Sequence, residues 1–134
     1  MDSIIYREAD IHDAPELAKI ESGIFTFPHT ENQLYSALND EHYIYYIAQK
    51  GDKIVGYIGI QVIEDECYIQ NIAVEQNCRG NDISTHLMTW LILKSKELRL
   101  SFISLEVRAS NTIAISLYKK FNFEIISVLH GYYD

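Results

Sequence analysis

Two long runs of β-branched and aromatic residues limit what this chain can fold into more than any other feature. They are Tyr43-Ile44-Tyr45-Tyr46-Ile47-Ala48 and Ile54-Val55-Gly56-Tyr57-Ile58-Gly59-Ile60-Gln61-Val62-Ile63. Side chains branched at Cβ are stiff, and they pack better on a pleated surface than along a helix. Lys50-Gly51-Asp52-Lys53 separates the runs and is a polar, glycine-bearing link of the hairpin type, so the two strands pair antiparallel. Glu64-Asp65-Glu66 then turns the chain into a third strand, Cys67 to Val74.

Helical patterns surround this core. Ser3 to Arg7 reads as a first strand. Asp13 with Glu16 has the spacing of a capping box ahead of the stripe Leu17, Ile20 and Ile24. Thr30 with Gln33 opens a second, shorter helix through Leu34 and Leu38. Glu75 to Asp82 is a polar loop containing Gly80, and Ile83, Leu87, Trp90, Leu91 and Leu98 mark a long amphipathic helix. Phe102 to Val107 is a strand, Asn111 caps a helix carrying Ala114, Leu117, Tyr118 and Phe121, and Glu124 to Leu129 is a last strand. The order β-α-α-β-β-β-α-β-α-β predicts an α/β (α+β) fold, a mixed sheet with helices packed on it. Strand 67–74, helix 83–98 and strand 102–107 form a βαβ unit with a right-handed crossover. At 134 residues the chain is expected to be one domain, 1–134.

Composition removes several function classes. Eleven Lys and Arg stand against nineteen Asp and Glu, for a net charge of −8. There is no basic cluster to neutralise phosphates, so nucleic acid is not the expected partner. An acidic surface suits a basic or amine-bearing partner, or serves solubility alone. No apolar run reaches the ~20 residues of a membrane span, and Met1-Asp2-Ser3 lacks a basic n-region and apolar stretch; the expected location is cytoplasmic. Cys67 and Cys78 form no metal-ligand pattern, which leaves reduced thiols as the simpler reading and a single disulfide as the other. No metal site is expected. The five histidines are scattered and suggest no ligand set.

A strand running through a loop into a helix aims the helix's free N–H groups and positive dipole end at whatever lies above the sheet. By itself, Arg79-Gly80-Asn81-Asp82-Ile83-Ser84 suits either an anion site or an ordinary chain reversal. Glu106 by itself is a solvated strand residue, Tyr118 a core tyrosine and Asn111 an N-cap. Tyr43, Tyr45 and Tyr46 are sheet packing, or one of them lines a groove.

Together with Gln70-Asn71-Ile72-Ala73-Val74, and with Leu105-Glu106-Val107-Arg108-Ala109-Ser110-Asn111 leading to Ala114-Ile115-Ser116-Leu117-Tyr118, these segments resemble the GNAT superfamily of acyl-CoA-dependent N-acetyltransferases. The chain is most similar to its ribosomal-protein-alanine N-acetyltransferases. Glu21, Phe25, Pro28, Thr30 and Tyr132-Tyr133 agree with that family as well, so the resemblance spans essentially the whole chain. It implies a mostly antiparallel mixed sheet flanked by four helices and splayed at the parallel βαβ unit. It also implies direct acetyl transfer from acetyl-CoA to the N-terminal amine of a ribosomal protein, with Glu106 as general base and Tyr118 as general acid. Ile72, Ala73, Val74, Arg79, Gly80, Asn81, Asp82, Ile83, Ser84, Thr85 and Asn111 would then bind acetyl-CoA. The other readings are a GNAT enzyme acting on a different amine and a non-catalytic GNAT-fold binding module.

Two departures stand out. Asp82 and Ser84 occupy glycine slots of the family's pyrophosphate loop, and a carboxylate beside a pyrophosphate costs on the order of 1–4 kcal/mol. The sequence also stops at Asp134, short of the family's last strand, so the expectation is an open sheet edge in a chain that is either a piece of a longer protein or paired by a partner, as in a homodimer across that edge.

Overall fold

The elements follow one another as β1 (Ile4–Glu8), a 3-10 turn (Ile11–Asp13), α1 (Ala14–Ile24), α2 (Glu31–Leu38), β2 (Tyr43–Lys50), β3 (Lys53–Ile63), β4 (Glu66–Val74), a second 3-10 turn (Gln76–Cys78), α3 (Ile83–Glu97) and β5 (Phe102–Ser104). This is the order the sequence implies. The structure, a computed structural model, describes residues 3–78, 82–105 and 118–119. The chain divides into two compact units, Met1–Ser104 and Leu105–Asp134. All five described strands belong to the first. The fourth helix expected after Asn111 and the last strand lie outside the described residues, except that Tyr118 and Lys119 are helical.

The sheet runs β1-β2-β3-β4-β5. Its first three pairings are antiparallel, and β4 and β5 are parallel. Gly51 closes the hairpin at φ 63° and Glu64 makes the next turn at φ 54°. Two bulges interrupt the ladders. Gln49 pairs with Ile54 and Ala48 with Gly56, leaving Val55 over. Ile60 pairs with Ile69 and Gly59 with Asn71, leaving Gln70 over on β4. An unpaired extra residue bends its strand and re-aims the neighbouring side chains. The parallel pairing joins Glu66–Tyr68 to Phe102–Ser104. Beyond Tyr68, no described strand pairs with β4 on that side.

Helices cover both faces. Leu17, Ile20 and Leu34 of α1 and α2 share a core with Tyr45, Ile47, Tyr57 and Ala73. On the opposite face α3 buries Ile83, Leu87, Met88 and Leu91, and Trp90 stacks on Tyr46 at 4.5 Å. This explains why Ile54 to Ile60 is apolar without alternation: every residue of it is buried.

The Thr30–Gln33 capping box forms, with Gln33 N–H donating to Thr30 Oγ1 at 3.1 Å and Thr30 N–H to Gln33 Oε1 at 2.8 Å. The box expected from Asp13 and Glu16 does not. Asp10 and Asp13 cap the 3-10 turn instead. Asp13 also takes a two-pronged bond from Arg7, both contacts at 2.9 Å, and Glu16 Oε2 accepts the Ile54 N–H at 2.6 Å. Tertiary partners drew both carboxylates away from the helix start.

Candidate active site

The first half of the site is the passage from β4 into α3. Ala73 and Val74 are buried at the strand's end and Ile72 is half-buried. Arg79, Gly80 and Asn81 lie outside the described residues. Asp82 takes the N-cap position at φ 60°, ψ 18°, a left-handed conformation favoured by glycine, and its side chain makes no capping bond. Its carboxylate lies within electrostatic reach of Tyr6, whose phenol is pushed up by burial, by Tyr46 and by Asp82. Ile83 is buried, and Ser84 and Thr85 are half-buried on the first turn. A Cβ on Gly56 would come within 3.1 Å of both the Ala73 carbonyl and Ile83 Cγ2, so glycine there lets β3 run close under this junction. The first turn of a fifteen-residue helix is a dipole end suited to a phosphate-bearing ligand.

The second half is a buried carboxylate. Glu21 sits four residues after Leu17 on the core-facing stripe of α1 and is 0% exposed. Its Oε1 accepts the His29 N–H at 2.8 Å and stands 2.9 Å from His29 Nδ1, while Oε2 accepts the Tyr57 hydroxyl at 2.6 Å. The Asn71 amide nitrogen lies 3.4 Å from both Glu21 Oε2 and His29 Nδ1. Burial works to raise the Glu21 pKa, but the donors from His29 and Tyr57 outweigh it and hold the carboxyl below its usual range. Reciprocally, Glu21 draws the His29 pKa up. Burial and the nearby Glu21 push the Tyr57 and Tyr45 phenols far up, so both stay protonated.

Beside the Glu21–His29 pair opens a cleft of about 440 Å³. Residues Asn32, Gln33, Ser36 and Ala37 of α2 form one wall; His29, Asp40, Tyr43, Tyr45 and the bulge residue Gln70 line the rest. The Tyr45 ring crosses β3 at Gly59, where any Cβ would meet it at 2.6–2.9 Å. Two of the three tyrosines read as sheet packing or groove thus line the cleft, while Tyr46 packs on Trp90.

The structure therefore brings Ile72, Ala73 and Val74 together with Asp82, Ile83, Ser84 and Thr85 along one strand–helix junction. Glu106 and Asn111 lie outside the described residues. Tyr118 belongs to the second unit, where it is helical and 8% exposed, and burial raises its phenol pKa. His29, Tyr57 and the grouping with Asn71 escaped sequence reasoning. One signal was present, an acid at a position of the α1 stripe where a hydrophobe belongs.

The model of the acetyltransferase (GNAT) family matches residues 14–123. A Bacillus subtilis (strain 168) protein provisionally named ribosomal protein bS18-alanine N-acetyltransferase is 33% identical over 128 residues, covering 95% of this chain and 85% of that protein. The Escherichia coli (strain K12) ribosomal protein bS18-alanine N-acetyltransferase is 30% identical over 121 residues, covering 90% of this chain and 81% of its own length. A crystal structure of the E. coli ribosomal-protein-S18-alanine N-acetyltransferase superposes with a TM-score of 0.89 at 27% identity, covering 97% of this chain and 83% of that one. A Clostridium acetobutylicum protein crystallised with acetyl-CoA shares the fold, with a TM-score of 0.79 at 23% identity over 95% of this chain and 94% of that one. A family match over most of the length, relatives alike nearly end to end and a common fold agree: the chain belongs to the acetyltransferase (GNAT) family of acetyl-CoA-dependent N-acetyltransferases.

Proposed function

We propose that the chain moves an acetyl group from acetyl-CoA to the N-terminal α-amine, an alanine, of a ribosomal protein, acting as one domain in the cytoplasm. The observation that carries this reading is the likeness, over four-fifths or more of their length, to two bacterial proteins named for bS18-alanine as acceptor. The cleft on the β4 bulge supports it, because a chain terminus needs an open trough lined with hydrogen-bonding groups rather than a closed pocket.

Acetyl-CoA supplies an activated acyl carbon, and the residues do the rest. By resemblance, the main-chain groups of Ile72 and Val74 would hydrogen-bond the pantetheine arm. By resemblance, the loop Arg79-Gly80-Asn81 and the first-turn N–H groups of Ile83, Ser84 and Thr85 would hold the pyrophosphate. Asp82 opposes this fit by its charge, while its left-handed backbone turns the chain as glycine would. A main-chain N–H near Ala73 donates to the carbonyl oxygen as charge builds there. By resemblance, Glu106 takes a proton from the attacking amine, Tyr118 returns one to the leaving sulfur and Asn111 stands near the thiol.

Mass spectrometry of an alanine-starting peptide incubated with enzyme and acetyl-CoA tests this. Glu106→Gln should lower kcat by about 10²-fold or more. Undiminished turnover would remove Glu106 as base, and a wild type that binds acetyl-CoA yet leaves the peptide untouched would overturn the acceptor.

A further inference from the structure

The pair Glu21–His29 has no part in the steps above, yet its geometry is that of a general base. An ionised carboxylate has only lone pairs to offer, so the 2.9 Å contact to Glu21 Oε1 places a proton on His29 Nδ1. When the ring is neutral, Nε2 is then bare. The same Glu21 oxygen also accepts the His29 main-chain N–H, and Tyr57 holds the other oxygen, so neither residue can rotate freely. The Nδ1 edge of the ring is spent on Glu21; the side chain is 37% exposed and lines the cleft beside Tyr45 and Gln70. No described residue donates a hydrogen bond to Nε2.

We propose that His29 Nε2 takes a proton from the acceptor's ammonium group as it enters the cleft, with Glu21 and Asn71 as positioning residues. This rests on the amine-acetylation reading above. An α-ammonium has a pKa near 8 and is mostly charged at neutral pH. It must lose one proton before its nitrogen attacks the acyl carbon. It loses a second once the N–C bond has formed and as the C–S bond breaks. One proton goes to the leaving sulfur and the other to solvent. Two acceptors are needed, and Glu106 accounts for one; His29 takes the other and returns it to water. The titratable groups facing His29 are Glu21 from α1, Tyr57 from β3, Tyr43 and Tyr45 from β2, and Asp40 at the end of α2. Asp40 is engaged by His42 at 2.9 Å. Of these titratable groups only Glu21 contacts the ring, and it raises the ring's proton affinity above the ordinary histidine value, so His29 is a competent base above that raised pKa.

His29→Asn tests the idea, because the Asn amide can still donate to Glu21 from the Nδ1 position while Nε2 is gone. The expected result is a loss of about 10²-fold in kcat/KM near pH 7 that shrinks as pH rises past the α-amine's own pKa, where the acceptor arrives neutral. Acetyl-CoA affinity by calorimetry should not change. A loss equal at every pH, or no loss, would reduce His29 to a loop clamp and overturn the proposal. Nitrogen NMR of the His29 ring at high pH gives a readout independent of turnover: the Nδ1–H tautomer is expected, and the Nε2–H tautomer would refute it. If the wild type binds acetyl-CoA but leaves the peptide unacetylated, only the acceptor reading falls, and the tautomer still decides the role of His29.

Discussion

Asp82 holds the position where one residue most directly sets cofactor affinity. At φ 60° its backbone pays the steric cost of the left-handed region, on the order of 1 kcal/mol for a residue with a Cβ, and its side chain caps nothing in return. Its carboxylate stands at the same helix end that the pyrophosphate needs. Asp82→Gly relieves the strain in the folded state but loosens the unfolded chain by a similar amount, so the melting temperature should barely move. The dissociation constant for acetyl-CoA should fall about tenfold, read by calorimetry, since removing roughly 1.4 kcal/mol of repulsion is one decade. An unchanged constant would mean that the carboxylate lies clear of the ligand. The identity of residue 82 as a misplaced glycine was legible in the sequence by comparison with the family pattern. Its positive φ was not, because a dihedral depends on how the loop returns to the helix.

Among the elements, α2 carries the cleft wall on only eight residues, fewer than an isolated helix needs to persist. Its capping box therefore matters more than it would on a longer helix. Thr30→Ala should cost about 1 kcal/mol, seen as a melting temperature about 4 °C lower, and should raise the KM of the acceptor peptide while leaving acetyl-CoA affinity alone. An unchanged KM would show that the wall formed by Asn32, Gln33 and Ser36 does not contact the acceptor. The box was readable from sequence because it is complete within four residues. The Asp13–Glu16 pair had the same spacing and misled. Asp10 and Asp13 fit the pattern equally well, and the choice fell to two distant groups: the Arg7 guanidinium, and the Ile54 N–H beside the Val55 bulge.

At the scale of the whole molecule, two buried acids and one histidine shape the pH dependence of stability. Burial tends to raise Asp13 and Glu21, but hydrogen bonds from Arg7 in one case and from His29 and Tyr57 in the other hold both below their ordinary values. Their stabilisation is present above the unfolded-state pKa near 4 and is lost as pH falls through the folded values. His29 is shifted the other way by Glu21, so its contribution is full below about 6.5 and is lost as pH rises through its raised folded value. Calorimetric melting against pH should therefore show a maximum between about pH 5 and 6 with a decline on each side. His29→Asn should flatten the alkaline decline alone; if that decline persists in the variant, its source lies elsewhere.

What the sequence by itself determined is the order of elements, the hairpin at Gly51, the strand–helix junction at Val74 and Ile83, and the family, because each is written in residues near one another along the chain. Propensity, periodicity and turn chemistry act over a few residues, and so does a motif. Only the tertiary structure decided that Glu21, His29, Tyr57 and Asn71 meet, since they come from α1, the segment before α2, β3 and β4. A charge can be buried there only because several distant donors arrive at once, and that coincidence is a property of packing rather than of any local stretch of sequence. The same holds for Gln70, whose place in the cleft comes from a bulge that no pattern of alternation announces.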